Sequence, residues 1–208
     1  MGQYYRVITQ QGQNHFKIYN RNIIVGNKQE YTPAKLTEHS WWLNPFVNAI
    51  CESIYKTPKK VVWLGDYSMD FMDDFQDGFN GLSRERIKHW DKIVWGKNDK
   101  SIAIKDTTFT LDGKYLLNHS KRTFVNGSTF FKRNLMKSKD CGEWCMHPLP
   151  LLTCIGNGCG GGDYRYPTDD ASIDLIGTWA FDEISVEDEK PTNYKEIKPI
   201  FKEKGWEE

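Results

Sequence analysis

Residues 156–163 run Gly-Asn-Gly-Cys-Gly-Gly-Gly-Asp, five glycines in eight positions. Glycine loses more backbone entropy on ordering than any other residue, so such a run needs a reason. One reason is close approach of the backbone to a ligand that a Cβ would block. Consecutive N–H groups from Gly156, Asn157, Gly158, Gly160, Gly161 and Gly162 could then form a concave anion nest, with Arg165 adding charge. The other reason is a tight, bulged hairpin whose glycines serve geometry alone. Gly156, Gly158 and Gly161 satisfy G-x-G-x-x-G, but Asp163-Tyr-Arg-Tyr-Pro167 follows where a dinucleotide site requires a helix. No Gly-Lys-Ser/Thr of a phosphate-binding P-loop is present either. The apolar segment 148–155 before the loop predicts that it is ordered and lines the principal pocket, with Asp163 and Tyr164 in the wall. Val at Gly160 or Gly161 would then abolish binding at little cost to the fold.

Other side chains carry further candidate chemistry. Gly65-Asp66-Tyr67 repeats the Gly162-Asp163-Tyr164 triplet, and each follows an apolar, strand-like run. A carboxylate beside a phenol offers an acceptor and a stacking surface; it serves equally as an Asp turn with Tyr covering the core edge. His147 joins this set as a binding candidate. A hydrolase would draw its acid and base from Asp66, Asp163, His39, His119 or His147. Cys141, Cys145, His147, Cys154 and Cys159 are zinc-type donors, yet they lack the C-x2-C pairs of zinc ribbons, so no metal and no cofactor are expected. A Cys145–His147 nucleophile pair lacks a residue to orient the histidine. Asp66, Asp70, Asp73, Asp74 and Asp77 lack the donor order of a calcium loop, and Phe71 and Phe75 interrupt them. A solvated acidic loop pinned by its phenylalanines fits better.

These groups need elements to hold them. Gln3–Thr9 and His15–Tyr19 alternate like strands, joined at Gln11-Gly12-Gln13. Asn44, Pro45 and the spacing of Phe46, Ile50 and Ile54 predict a helix that Thr57-Pro58 stops. Lys60–Gly65 follows as a short apolar strand. Ser83 caps a second helix with Ile87, Trp90 and Val94 inward, ending at Gly96. Strands are expected at 101–105, 107–111, 114–118 and 123–126, with turns at Asp112-Gly113 and Asn126-Gly127. Leu175–Phe181 and Glu183–Val186 add two more. A charged tail from about residue 187 holds a weak helical signal through Tyr194, Ile197 and Phe201. The pattern is α+β, mostly antiparallel sheet with two main helices, in one domain over residues 1–208.

Several stretches together resemble a poorly characterised family of bacterial and viral proteins. They are Met-Gly-Gln-Tyr-Tyr at the start, Glu38-His39-Ser40-Trp41, Val62–Tyr67, Tyr115–His119, His147–Leu152, Gly156–Tyr164 and Gly177–Asp182. The resemblance spans nearly the whole chain and implies a single domain. That family carries no established activity, so no catalytic assignment follows from it. Its relatives look like Gly-Asn-Gly-Arg-Gly-Gly-Gly-Asp where this chain has Cys159, which argues against the cysteine as a family zinc ligand and for a loop suited to anions. In a viral setting such a pocket would sequester a host signalling nucleotide.

Composition sets the outer limits. The chain has 208 residues, with 28 basic and 28 acidic side chains and no net charge. Without a basic excess to release counterions, duplex nucleic acid is not an expected partner. No signal-peptide apolar region and no membrane-length apolar run are evident, and five cysteines are an odd number for a disulfide framework. A cytoplasmic protein with reduced thiols is expected, of unassigned oligomeric state. The leading expectation is binding of a small polar, nucleotide-derived ligand around the glycine loop. Aromatic rings would stack a base or sugar there, with backbone N–H groups and Arg165 on phosphate. The alternatives are a hydrolase of phosphoesters or N-glycosides, and a protein-interaction module using exposed aromatics.

Overall fold

The computed structural model describes residues 2–13, 15–25, 28–75, 78–97, 101–105, 107–138, 142–164 and 172–202. Strands β1 (Tyr5–Gln11), β2 (His15–Val25) and β3 (Lys28–Thr32) lead into helix α1 (Pro45–Ser53) and strand β4 (Lys59–Gly65). A short α2 (Ser68–Phe71) and the longer α3 (Arg84–Val94) follow, then β5 (Ile102–Ala103), β6 (Tyr115–Asn118) and β7 (Thr123–Asn126). Next come α4 (Gly127–Asn134), the small hairpin β8 (Met136–Ser138) and β9 (Gly142–Trp144), α5 (Pro148–Thr153) and β10 (Cys154–Ile155). β11 (Glu183–Glu187) and β12 (Lys195–Glu196) complete the chain. The fold is α+β: a mixed, mostly antiparallel sheet of ten strands, a separate two-stranded sheet and five helices.

The main path runs β12-β7-β6-β11-β4-β1-β2-β3, with β10 added beside β4 and β5 beside β2. The period-two pleat of β4 explains how one sheet serves two cores. Val61 and Trp63 face one cluster with Tyr5, Val7, α1 and α5. Val62 and Leu64 face the other with Ile8, Ile18 and α3. A strand buried on both faces reads as a continuous apolar run, which is how β4 is legible.

Both predicted main helices form with their predicted caps. Asn44 Oδ1 accepts from the N–H groups of Phe46 and Val47 at 3.0 and 3.3 Å, with Pro45 in the first turn. Ser83 Oγ accepts from Arg86 N–H at 3.3 Å, and Ile87, Trp90 and Val94 are the buried face of α3. Four expectations need correction. Asn126-Gly127 is no hairpin turn: Asn126 caps α4, accepting from Thr129 N–H at 2.9 Å. Residues 107–111 hold no strand. Leu175–Phe181 is a string of turns, because Gly177 and Trp179 donate their N–H groups to the α5 carbonyls of Leu151 and Leu152 at 2.8 and 2.7 Å. The tail likewise forms β12 parallel to β7 instead of a helix, and buries Phe201 against Phe130 and Tyr164.

Candidate functional site

β10 pairs in parallel with β4, Cys154 opposite Trp63 and Ile155 opposite Leu64. Both strands therefore release their loops at the same edge, where β1 ties the two Gly-Asp-Tyr triplets together: Tyr5 is opposite Gly65 and its hydroxyl donates to Asp163. The N-terminus of antiparallel β1 arrives at that edge too, and Gln3 is the residue on which the loops close. A Cβ on Gly65 or on Gly156 would fall on the Gln3 amide nitrogen itself, and one on Gly160 would come within 2.7 Å of Gln3 Cβ. The glycines thus make room for a side chain of the same molecule. Valine at Gly160 would press on Gln3 and should destabilise the fold, where the sequence reading expects little cost.

Within the loop, the Gly158, Cys159 and Gly160 N–H groups are engaged internally. Asp163, buried, accepts from Gly158 and Gly160 N–H groups at 2.9 and 2.8 Å through Oδ2, and from the Tyr5 hydroxyl at 2.7 Å through Oδ1. Burial raises the Asp163 pKa against the opposing pull of these hydrogen bonds. Asn157 imitates a backbone pair, accepting from Tyr164 N–H at 2.8 Å and donating to Tyr164 C=O at 3.3 Å. Tyr164 is buried and donates its hydroxyl to Lys202 C=O at 2.8 Å. Gly161 and Gly162 carbonyls accept from Gln3 and Thr37 N–H groups at 2.7 and 3.0 Å. Asp66 accepts from Tyr4 N–H at 3.1 Å, and burial raises its pKa; Tyr67 beside it is half-buried. Arg165 lies outside the described residues. Burial, then Asp163, Asp70 and Asp74, push the exposed Cys159 thiol up, while the Lys35 side chain lies against Gly162.

The histidines do not join this edge. His147 is fully buried, caps α5 by accepting from Leu149 N–H at 3.2 Å, and turns Nε2 to Cys51 Sγ at 3.7 Å. Burial holds it neutral, its pKa down at about 3. His39 accepts from Lys35 N–H at 2.8 Å and is lowered to about 4, first by burial and then by Arg21. His119 lies between the Tyr194 and Ser185 hydroxyls at 2.9 and 2.8 Å. Ser185 donates onward to Glu187 at 2.7 Å, so His119 Nε2–H donates to Ser185. This chain clamps the tail to β11. Cys145 and Cys154 are buried thiols that donate to backbone carbonyls, and burial pushes Cys145 up to about 12. Among the described residues no three His, Cys, Asp or Glu side chains come together as metal ligands; Cys141 and Asp77 lie outside those residues. Phe71, Phe75 and Phe79 pack at 4.8–5.0 Å between ring centres and anchor the acidic loop. No helix among the described residues is long and apolar enough to cross a membrane.

A cleft of about 590 Å³ opens at the opposite end of β4, between the β1–β2 turn and α3. Phe16 and Trp90 line it, together with Gln10, Lys60, Arg86, His89 and Glu183. Its aromatic base is built in sequence: Phe16 meets the Trp90 ring edge-on at 5.3 Å, and Trp90 meets Phe181 at 5.5 Å. The Arg86 guanidinium lies over Phe181, 5.3 Å from its centre. Phe181 adopts φ +61°, a left-handed conformation that is rare for a bulky side chain and concentrates at functional sites. Its N–H donates to Val61 C=O at 2.8 Å, which holds the turn on β4. Lys60 and Glu183 are directly opposite in the β4–β11 register. Among the described residues none of Lys60, Arg86, His89 and Glu183 forms an ion pair.

Sequence inspection passes over these cationic groups, seeing only Trp90 as an inward face. The available signal is the helical spacing of Arg86, His89 and Trp90, which sets two hydrogen-bonding heads beside one aromatic. Comparisons with known protein families, curated proteins and solved structures find no match.

Proposed function

We propose that this protein captures a small phosphorylated, ring-bearing ligand of the nucleotide class in the cleft over α3, and holds it without turnover. One observation carries the reading: Lys60, Arg86 and His89, free of ion pairs, surround an aromatic base in a cleft of ligand size. A planar base has Trp90 and Phe16 to pack on, phosphate has Arg86 and Lys60, and Glu183 with Gln10 can meet ribose hydroxyls or exocyclic amines. The glycine edge supports the same function less well, because Asp163 already engages the Gly158 and Gly160 donors. Capture is favoured over hydrolysis because the rings of His39, His119 and His147 are already committed, to Lys35 N–H, to Tyr194 and Ser185, and to Leu149 N–H and Cys51.

Calorimetric titration with mononucleotides, dinucleotides and cyclic dinucleotides tests the reading. Arg86→Ala and Lys60→Ala each remove a charge-assisted contact, so the affinity of the bound nucleotide should fall about tenfold or more. Asp66→Asn, at the glycine edge and with its acceptor for Tyr4 N–H retained, should leave affinity unchanged. Absence of binding at millimolar nucleotide, or binding indifferent to both charge removals, would sink the proposal.

A further inference from the structure

We infer that the groove between Trp41–Leu43, α4 and β9 is a second site, taking a small soluble quaternary ammonium compound of the choline type. Its lining is Trp41, Trp42, Leu43, Phe131, Glu143 and Trp144, with Cys145 behind, and its volume is about 570 Å³. That volume lies in the range of small-molecule pockets. Four of those side chains are aromatic, one is a carboxylate, and none is basic. Leucine and isoleucine walls would serve a neutral apolar ligand equally well. Aromatic rings add a negative quadrupole face, and with a carboxylate at the rim they favour a cation. The cation must also be cheap to dehydrate: Glu143 is the one charged acceptor lining the groove, so a primary ammonium would lose water contacts that nothing replaces. A quaternary nitrogen has no N–H groups to satisfy.

The framework around the groove is rigid. Trp42 stacks on Phe130 at 6.1 Å, meets Phe131 at 5.2 Å and His147 at 5.5 Å, and donates its backbone N–H to Cys145 C=O at 2.8 Å. Trp41 and Leu43 stay 36% and 62% exposed at the mouth. Glu143 faces Lys137 across the β8–β9 hairpin at 3.5 Å, both well exposed. A pair so exposed is weak and leaves the carboxylate available.

The test is titration of the protein with choline and with 3,3-dimethylbutan-1-ol, its neutral isostere, followed by NMR shifts of the tryptophan indole N–H groups. Choline should bind about tenfold tighter than the isostere. Trp41→Leu, which keeps apolar area, should weaken choline about fivefold and barely affect the isostere. Glu143→Gln should weaken choline and Lys137→Gln should strengthen it, each about threefold. Both of those positions are exposed, so their opposite signs decide the matter even if Trp41→Leu fails to fold. Equal affinity for the isostere, no binding of choline, or capture of phosphatidylcholine vesicles without binding of free choline would each overturn the inference.

Discussion

At the glycine loop the backbone donors of Gly158 and Gly160 converge on a carboxylate that the chain itself supplies, so the nest is built and Asp163 is its anion. The two Gly-Asp-Tyr triplets are visible in the sequence and do come together. What joins them is not visible, because Gln3 lies far from both Gly65 and Gly156 along the chain and no local signal links them. Gln3 is fully buried, and neither atom of its amide has a hydrogen-bond partner. An unsatisfied buried amide costs about 1–3 kcal/mol, whereas an apolar side chain of the same shape costs nothing of that kind. Gln3→Met should therefore raise stability by about 1 kcal/mol, read as a higher denaturation midpoint at unchanged slope. A lowered midpoint would mean that the amide has a partner in solution, and would return the ligand site to the glycine edge.

Among the elements, those with local signals are the ones legible beforehand. Caps at Asn44 and Ser83, Pro45, and the three- and four-residue spacing of buried side chains define α1 and α3 without tertiary information. The alternation of β1 and β2 and the apolar run of β4 do the same for the sheet centre. α4 escapes because Asn-Gly after a strand is also the strongest short hairpin signal. What decides between turn and helix is non-local: Phe130 stacks on Trp42, and Asn134 accepts from Phe201 N–H at 2.6 Å. α5 and the turns after it escape for a similar reason, since the N–H groups of Gly177 and Trp179 are claimed by α5 carbonyls. The cleft is only half legible, since Trp90 belongs to a recognisable helix face while Lys60 and Glu183 meet through register. If Asn126 is a cap, Asn126→Ala should cost about 1 kcal/mol and Asn126→Ser nearly nothing. Equal losses for both would favour a tight-turn role, where serine cannot replace asparagine.

At the scale of the whole molecule, one sheet separates two cores, and the face carrying α1 and α5 holds a titratable group deep inside. His147 touches Cys51, Trp42 and the first turn of α5, and among the described residues no acidic side chain bonds to it to stabilise a proton. Its folded pKa is about 3, well below the ordinary value near 6.5 of an unfolded histidine. The direction of the pH effect follows from which state binds the proton. As pH falls below about 6.5 the unfolded chain takes it up and the folded chain does not, so stability drops with a slope approaching one proton. By about pH 5 the loss from this group alone is about 2 kcal/mol. His39, lowered to about 4, works in the same direction but is half-exposed and contributes less. Thermal or urea melts from about pH 7 to 5 should show this decline before carboxylates titrate. His147→Asn keeps a side-chain oxygen to cap α5 and removes the proton site. The variant should be weaker at neutral pH, from the cavity it leaves, yet distinctly flatter across this range. A slope equal to that of the wild type would assign the acid sensitivity elsewhere, to His39 first.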